Sequence, residues 1–400
     1  MSGTIGGACE SKFAAVKEEF ERNFAERGEV GASVCLSVNG ETQVDLWGGM
    51  ANPETGDAWR EDTISIVFSC SKAATALCAH ILIDRGELNP EALVAEYWPE
   101  FAKNGKEKTT VRMMLNHESA LPTLRDPVRA GGFEDWDYMI RRMEDEEAFW
   151  EPGTRNGYHM INFGWTVGEL VRRVSGKSLG TFFREEVADK TGARFWLGLP
   201  ETEDVHIAPI IPYAPKPDDV PTEFAIKLMT DPDSIQHKSF MNNGGWDFNN
   251  RASQAAEIGG GGGLSNARGQ VAMYTPLALN DGTLVSSDRL KAMSMVTTAT
   301  QRDATLLVPT RFGPGFMKSM DNRGLNVGPG TSVIMGEQAF GHVGAGGSIG
   351  FADPEVGLAF SYTMNQMGSG ILVNDRAQSL IDATYRALGY RTNAPGVWVT

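Results

Sequence analysis

The sequence predicts an α/β (α+β) fold in which an antiparallel sheet, flanked by N- and C-terminal helices, is joined to a mainly helical domain. β-rich runs separated by turn residues lie near both ends of the chain, at 30–49 and 340–365. Helical patterns dominate between them, and an amphipathic helix precedes the first β region and follows the last. Because one face of every sheet must be covered, the two β regions are expected to share one sheet beneath those helices.

Charge and composition exclude several functional classes. The 400 residues carry a formal net charge of −15 and show no basic stripe. This balance argues against nucleic acid and against an anionic membrane surface as partners. No apolar run is long enough to span a bilayer, and residues 1–28 lack the apolar core of a signal peptide. A cytoplasmic protein that acts on a small molecule is expected, and its oligomeric state stays open.

Cysteine and histidine usage gives no sign of disulfides, metals or cofactors. The four cysteines form no C-x-x-C pair and are expected to be reduced thiols. The six histidines are scattered without metal-ligand spacing, and no phosphate loop or dinucleotide fingerprint is present. The sequence therefore predicts a protein that works without a metal or a cofactor.

The first predicted elements are a helix and a hairpin. Lys12 to Arg27 is amphipathic at helical spacing. Val30 to Val38 then leads through Asn39-Gly40 into Glu41 to Leu46, and Asn-Gly is a strong hairpin turn signal. Both strands are assigned to a discontinuous sheet domain formed by residues 1–67 and 305–400.

A buried helix is predicted to begin near Ser69, because small and apolar residues continue to Ile83 and Gly86 stands where a helix stop belongs. Ser69 and Lys72 share a face at the end of the helix where free N–H groups favour negative charge. A hydroxyl, an amine and this helix end make a candidate nucleophilic site, although Ser-x-x-Lys alone more often marks a capped helix. Cys70 points about 100° away around the helix and is not expected to be the nucleophile.

Residues 68–304 are predicted to form the mainly helical domain. Helical patterns cover Thr110–Asn116, Trp136–Met143, Phe163–Val174, Leu179–Lys190, Gly269–Leu279 and Ser287–Met295. Between them, residues 199–263 are rich in Pro, Asp, Asn and Gly and end in the run Gly259–Gly263. Since long loops in compact domains are usually functional or mobile, this segment is expected to form a pocket wall, with a plain surface excursion as the alternative.

Two further segments are candidates for chemistry. Tyr158 follows the turn at Pro152-Gly153, and a nearby lysine would favour a proton-transfer role over a purely structural one. Gly341 to Ser348 is glycine-rich at a predicted strand, where the backbone can approach a ligand and offer an N–H to an oxyanion.

The glycine-rich segment also contains G-x-S-x-G at Gly346–Gly350, which invites an α/β-hydrolase interpretation with Ser348 as nucleophile. That motif needs a strand–turn–helix setting, whereas here another predicted strand follows. No histidine follows His342 to complete the triad in the order those enzymes use. Ser348 is therefore not expected to be the nucleophile.

Four ordered stretches carry a resemblance to a known family: Ser69–Lys72, Leu115–Pro122, Pro152-Gly153-Thr154 with Tyr158, and Gly341–Gly344. Together they resemble the serine β-lactamase and penicillin-binding-protein superfamily, and within its class C-like branch the family VIII carboxylesterases. The resemblance covers nearly the whole chain. It implies a β-lactamase-like fold and catalysis through an acyl-enzyme.

The same resemblance implies a role for each site residue. Ser69 would be the nucleophile, and Lys72 and Tyr158 the proton-transfer pair, either of which could be the general base. The backbone N–H groups of Ser69 and Ala345 would form the oxyanion hole.

His342-Val343-Gly344 stands where the lactamases carry Lys-Thr-Gly, so His342 and Gly344 are expected to bind substrate. The replacements remove a positive charge and a hydroxyl that would hold a β-lactam carboxylate. The triplet Tyr158-His159-Met160 also lacks the asparagine of the Tyr-x-Asn motif. These departures favour neutral substrates such as simple esters.

The sequence therefore predicts a carboxylesterase that hydrolyses short-chain esters through an acyl-enzyme on Ser69. A β-lactamase, a D-amino-acid peptidase or amidase, and an acyltransferase of the same superfamily remain alternatives. A catalytically inactive binding protein on this fold is the alternative from a different functional class.

Overall fold

The computed structural model describes residues 5–400, so residues 1–4 of the predicted sheet domain lie outside it. Within this range the strands are β1 (Gly6–Cys9), β2 (Gly31–Val38), β3 (Glu41–Asn52), β4 (Asp57–Ala58), β5 (Ser65–Phe68), β6 (Phe195–Trp196), β7 (Gly263–Ser265), β8 (Thr298–Thr300), β9 (Thr310–Gly313), β10 (Phe316–Met317), β11 (Phe340–Val343), β12 (Ile349–Asp353) and β13 (Leu358–Met364). The helices are α1 (Ala14–Glu26), α2 (Cys70–Asp84), α3 (Val111–Leu115), α4 (Trp136–Asp145), α5 (Phe163–Ser175), α6 (Leu179–Phe183), α7 (Asp189–Thr191), α8 (Glu223–Thr230), α9 (Ile235–Met241), α10 (Arg251–Ala255), α11 (Ala267–Leu279), α12 (Ser287–Ser294) and α13 (Asp375–Ala387).

A large antiparallel sheet joins the two ends of the described chain. Its strand order is β1-β3-β2-β13-β12-β11-β10-β9-β8, with β4 paired to β3. Strand β13 lies beside β2, with Leu358 opposite Val38 and Met364 opposite Ala32. The predicted sharing of one antiparallel sheet by the two β regions is therefore confirmed.

The β2–β3 turn follows the local sequence closely. Asn39 and Gly40 both have positive φ angles, 53° and 83°, as a two-residue hairpin turn requires. Strand β3 continues to Asn52, beyond the predicted end at Leu46, and its last part pairs with β4.

Each face of the sheet is covered by different helices. On one face, Val34 and Phe360 pack with Phe20 of α1 and Leu380 of α13. Their neighbours along the strands point the other way, as alternation requires, and Ala359 belongs to the core that includes α2 and α11. The sheet thus has helices on both sides.

Helix α2 is buried on every side, as its apolar sequence predicts, and every residue from Cys70 to Leu82 is buried. It ends before Gly86, whose φ angle of 73° is the left-handed conformation of a helix stop. Within residues 5–400, no helix is long and apolar enough to cross a membrane.

Several elements differ from expectation. Strands β5, β7 and β6 form a separate three-stranded sheet that no local pattern indicated. Helix α11 contacts β13, β12 and β2, and β8 extends the large sheet, although both lie within residues 68–304. The division into 1–67 with 305–400 and 68–304 stays a prediction, since the packing of these elements crosses it.

Candidate active site

The candidate site is built around the junction at which β5 runs directly into α2. Phe68 has a φ angle of 45°, a strained conformation that costs about 1–3 kcal/mol for a residue with a side chain. Ser71 Oγ donates to the Phe68 carbonyl oxygen at 2.5 Å and accepts from the Gly263 N–H at 2.8 Å, which holds the turn. Ser69 follows as the N-cap of α2 and lines a cavity.

Lys72 lies directly behind Ser69 and is completely buried. Its Nζ is 2.9 Å from Ser69 Oγ, 2.6 Å from the Met160 carbonyl oxygen and 2.6 Å from the Gly260 carbonyl oxygen. Burial lowers the pKa of the Lys72 amine well below its usual value. The predicted Ser69–Lys72 pair is thus within hydrogen-bonding distance in a site that favours the neutral amine.

The glycine run 259–263 supplies part of the Lys72 environment. A Cβ on Gly260 would lie 2.0 Å from the Ile161 carbonyl oxygen, and one on Gly164 would lie 2.1 Å from the Gly260 nitrogen. Only glycine therefore allows this strip of backbone to pass so close to the start of α5. The run was visible in the sequence, but its contact with Lys72 was not.

Tyr158 sits beside the same lysine. Lys72 Nζ lies over its ring, 4.8 Å from the centroid, and only 3% of the tyrosine is exposed. Burial raises the pKa of the Tyr158 phenol, and a side-chain hydrogen bond with Ser69 opposes that rise. The structure therefore brings Ser69, Lys72 and Tyr158 together.

Asp303 fixes the backbone of Tyr158 and was missed by sequence reasoning. Its fully buried carboxylate accepts the Tyr158 N–H at 3.0 Å from both oxygens, and the N–H groups of Thr305 and Leu306 at 2.8 Å. Burial raises the pKa of Asp303, and these N–H donors oppose the rise. No local pattern connects Asp303 with Tyr158, because they meet only in the fold.

The end of β11 presents Val343 and Ala345 to the cavity. The ring of His342 lies on the other side of the strand, 6.0 Å from the Tyr158 ring, and its Nδ1 is 2.7 Å from the Val343 carbonyl oxygen. Burial lowers the pKa of His342 to about 3, so the imidazole is neutral. The structure thus places His342 behind Tyr158 and not on the cavity wall, where substrate binding was expected.

Gly344 permits a close approach between β11 and β5. A Cβ at this position would lie 2.2 Å from the Val67 carbonyl oxygen and 2.3 Å from Ser348 Oγ. Gly344 itself is not on the cavity wall. The next residue, Ala345, lines the same cavity as Ser69. Within residues 5–400, the Ala345 N–H donates no hydrogen bond, as an oxyanion donor requires.

The alternative nucleophiles are both buried. Ser348 Oγ donates to the Val67 carbonyl oxygen at 3.2 Å, and a strand follows it, as expected. Burial raises the pKa of the Cys70 thiol to about 12, which keeps it protonated and unreactive.

Two further histidines, His117 and His159, lie next to Tyr158. His117, with a φ angle of 61°, places its ring 4.8 Å from the Tyr158 ring and accepts the His159 N–H at 3.1 Å. His159 in turn is 2.8 Å from Ser119 Oγ.

Among residues 5–400, no three His, Cys, Asp or Glu side chains are grouped to hold a metal ion.

The cavity in front of Ser69 has a volume of about 330 Å³. Ser69, Tyr158 and Ala345 lie on its wall, together with Met160, and residues between 213 and 240 contribute another part of the wall. The long segment 199–263 thus contributes to this cavity.

Comparisons with known proteins agree with this architecture. The chain is 31% identical to the esterase/β-lactamase LipL of Mycobacterium tuberculosis over 403 residues, which cover 93% of this chain and 86% of LipL. A crystal structure of a family VIII carboxylesterase superposes with a TM-score of 0.83 at 36% identity, covering 96% of this chain and all of that one. A penicillin-binding-protein homologue from Caulobacter crescentus superposes with a TM-score of 0.84 at 32% identity, covering 96% and 100%.

The resemblance that the four motifs indicated is therefore confirmed along nearly the whole chain. A family model described as β-lactamase matches residues 18–384. The chain belongs to the β-lactamase family.

Proposed function

We propose that this protein is a serine carboxylesterase that hydrolyses short-chain esters through an acyl-enzyme on Ser69. The observation that carries the proposal is the contact between Ser69 Oγ and the buried Lys72 Nζ at 2.9 Å, at the end of a cavity. A nucleophile paired with a base within hydrogen-bonding reach is the arrangement that covalent catalysis needs. The esterase names of similar proteins support the same activity.

The surroundings of Lys72 favour it as the general base. A neutral amine has two N–H donors and one lone pair, whereas an ammonium has three donors and no acceptor. Two carbonyl oxygens, of Met160 and Gly260, take the two donors, and the lone pair is left for the Ser69 hydroxyl. The raised pKa of Tyr158 favours a neutral phenol that relays a proton.

In the proposed reaction, Lys72 takes the hydroxyl proton while Ser69 Oγ attacks the ester carbonyl carbon. The backbone N–H groups of Ser69 and Ala345 stabilise the oxyanion. The bond to the alcohol then breaks, and Tyr158 passes the proton from Lys72 to the departing oxygen. Water attacks the acyl-enzyme by the reverse relay, which releases the carboxylic acid and restores Ser69.

The cavity favours esters over the other substrates of this fold. Among the described residues that line it, none carries a positive charge. A β-lactam carboxylate would therefore lack its ionic partner. Nitrocefin, D-amino-acid amides and an added alcohol acceptor test the lactamase, amidase and acyltransferase alternatives, and all three should react more slowly than p-nitrophenyl butyrate.

We also propose a cytoplasmic location, which is supported by the four cysteines, all unpaired. Detection of activity in the periplasm or culture medium after cell fractionation would contradict it. The substrate in this proposal is a small neutral ester, with neither nucleic acid nor membrane as partner.

The decisive test labels the intact protein with a fluorophosphonate and locates the adduct by mass spectrometry. We expect the label on Ser69, and Ser69→Ala should lose both labelling and hydrolysis of p-nitrophenyl butyrate. Ser348→Ala is the matched control, because Ser348 is a buried serine outside the cavity wall, and it should remain active. An unlabelled wild-type protein would favour the inactive binding protein instead.

A further inference from the structure

Much of the cavity wall is apolar. Its side chains come from α8, from the segments beside it and from the end of the sheet, and they include Val220, Phe224, Ala225, Leu228, Leu306 and Ile371. At about 30 Å³ for each water-sized group, the volume of about 330 Å³ holds roughly ten such groups. A small acetyl or butyryl group would leave much of this apolar surface unfilled.

Helix α8 turns one side to the cavity and the other to solvent. Ala225 and Leu228 line the cavity, whereas Met229 is 76% exposed and Ile226 is 48% exposed. The helix is anchored by Thr222 Oγ1, which accepts the Ala225 N–H at 3.2 Å. A substitution on one side of α8 can therefore be compared with a substitution on the other.

The neighbouring α9 connects this wall to the loop between β8 and β9, in which Asp303 binds the Tyr158 N–H. Gln236 Nε2 donates to the carbonyl oxygens of Ala304 and Thr305 at 2.9 and 2.7 Å. Asp303, which binds the Tyr158 N–H, begins the same loop, and Leu306 of that loop lines the cavity. The apolar wall and the reacting groups are thus parts of one connected structure.

The only charged side chain on the cavity wall, among the described residues, is Asp219. Its carboxylate accepts hydrogen bonds from the Tyr213 hydroxyl and the Lys216 N–H, both at 2.6 Å. Because no cationic side chain among the described residues lines this wall, a substrate with its own carboxylate would leave water there without an ionic partner.

We propose that α8 gives this site a preference, within the range of short-chain esters, for neutral esters that carry an apolar group of about six to ten carbon atoms. This inference rests on the proposed esterase function and names its substrate class. Each methylene that enters the cavity leaves water, so kcat/KM should rise by about two- to fourfold per methylene until the cavity is filled.

The test measures kcat/KM for p-nitrophenyl esters from acetate to dodecanoate and for alkyl acetates from methyl to octyl. A rise with chain length in the first series places the apolar group on the acyl side, and a rise in the second places it on the alcohol side. Falling values beyond acetate and methyl in both series would overturn the proposal. A p-nitrophenyl ester with a terminal carboxylate should react at least about tenfold more slowly than a neutral ester of equal length, and equal rates would also overturn it.

Two variants of α8 test whether this helix sets the preference for chain length. Ala225→Trp should fill the cavity and lose the rise with chain length, so that the ratio of kcat/KM for p-nitrophenyl octanoate to kcat/KM for p-nitrophenyl acetate falls toward one. Met229→Trp, on the exposed side of the same helix, should behave as the wild type. If Ala225→Trp keeps the rise, α8 does not set the specificity.

A third variant keeps the test decisive if Ala225→Trp does not fold, as judged by its thermal melt. Leu228→Ala enlarges the cavity and should move the optimum to a longer chain, and an unchanged optimum would count against the proposal. Failure of the esterase proposal itself looks different, because the wild type would then hydrolyse no ester or Ser69→Ala would remain active.

Discussion

The burial of Lys72 shows how a single residue acquires a function that its ordinary chemistry lacks. An exposed lysine is protonated at neutral pH. Here the amine has no carboxylate partner among residues 5–400, and carbonyl oxygens and an aromatic ring surround it. Desolvation of the charged form then favours the base. The pair Ser69–Lys72 could be found in the sequence because both residues lie on one helical turn.

The state of Lys72 predicts the pH dependence of the reaction. Since the neutral amine is the form that we propose as the general base, kcat/KM should fall as the pH drops through the lowered pKa and level off above it. Lys72→Arg, which stays charged at every pH, should be inactive throughout. Rates with p-nitrophenyl butyrate between pH 5 and 10 test this, and a rate that increases toward acid pH would exclude Lys72 as the base.

Tyr158 gives a second prediction at this scale. Tyr158→Phe keeps the ring contacts with His117 and Lys72 but removes the hydroxyl that we propose as the proton carrier. It should therefore fold normally and lower kcat about 10²–10⁴-fold. Tyr213→Phe is the control, because this tyrosine lines the same cavity without contacting Lys72. An unchanged kcat in Tyr158→Phe would remove the phenol from the mechanism.

At the scale of elements, the loop between β8 and β9 holds the backbone of Tyr158 in place. Asp303 binds three backbone N–H groups, and each buried group left unpaired costs about 1–3 kcal/mol. Asp303→Ala should therefore lower both stability and kcat, with a smaller effect on KM. Asp303→Asn, which keeps an acceptor oxygen, should recover part of kcat.

The Asp303 prediction is checked by steady-state kinetics together with urea unfolding. Asp231→Ala provides a control, since the Asp231 side chain is 44% exposed and lies outside the cavity wall. If Asp303→Ala lost stability but kept the full kcat, the loop would be structural only and would not position Tyr158.

Elements with strong local signals were predictable from the sequence, and elements defined by tertiary contacts were not. The Asn39-Gly40 turn and the stop at Gly86 need particular backbone angles, which these residues adopt readily. Strands β5, β6 and β7 are two to four residues long, too short for alternation to show. The helical pattern of α11 was also visible, but its partner, the large sheet, was not.

At the scale of the whole molecule, one buried ion pair links the first and last helical regions. Arg376 at the start of α13 lies 2.8 Å from Glu29, which precedes β2, and both side chains are almost fully buried. The Tyr362 hydroxyl on β13 donates to the same carboxylate. The pair thus connects the segment before β2 with the helix that follows β13.

Removal of one partner should be strongly destabilising. Arg376→Met leaves the Glu29 carboxylate buried without its cation and should cost about 3–5 kcal/mol in urea unfolding at pH 7. Burial raises the pKa of Glu29 and Arg376 opposes that rise, so the variant carboxyl protonates at higher pH. The stability difference should therefore shrink as the pH falls.

Arg22→Met is the control for this prediction, because Arg22 pairs with Glu19 and Glu26 on the surface of α1. Exposed pairs contribute about 0–1 kcal/mol, so this variant should be near the wild type. Equal losses in the two variants would show that the buried pair has no special role.

The site can be completed only late in synthesis. It depends on the pairing of β2 with β13 and on the approach of Gly344 to Val67. A ribosome releases Ser69 and Lys72 early, but the strand that delivers Ala345 emerges only after most of the chain. Until then β2 has an unpaired edge, and the nascent chain contains Ser69 without the second N–H group of the proposed oxyanion hole. We therefore expect hydrolytic activity only after the last strands have joined the sheet, and a chain that ends before residue 340 should be inactive.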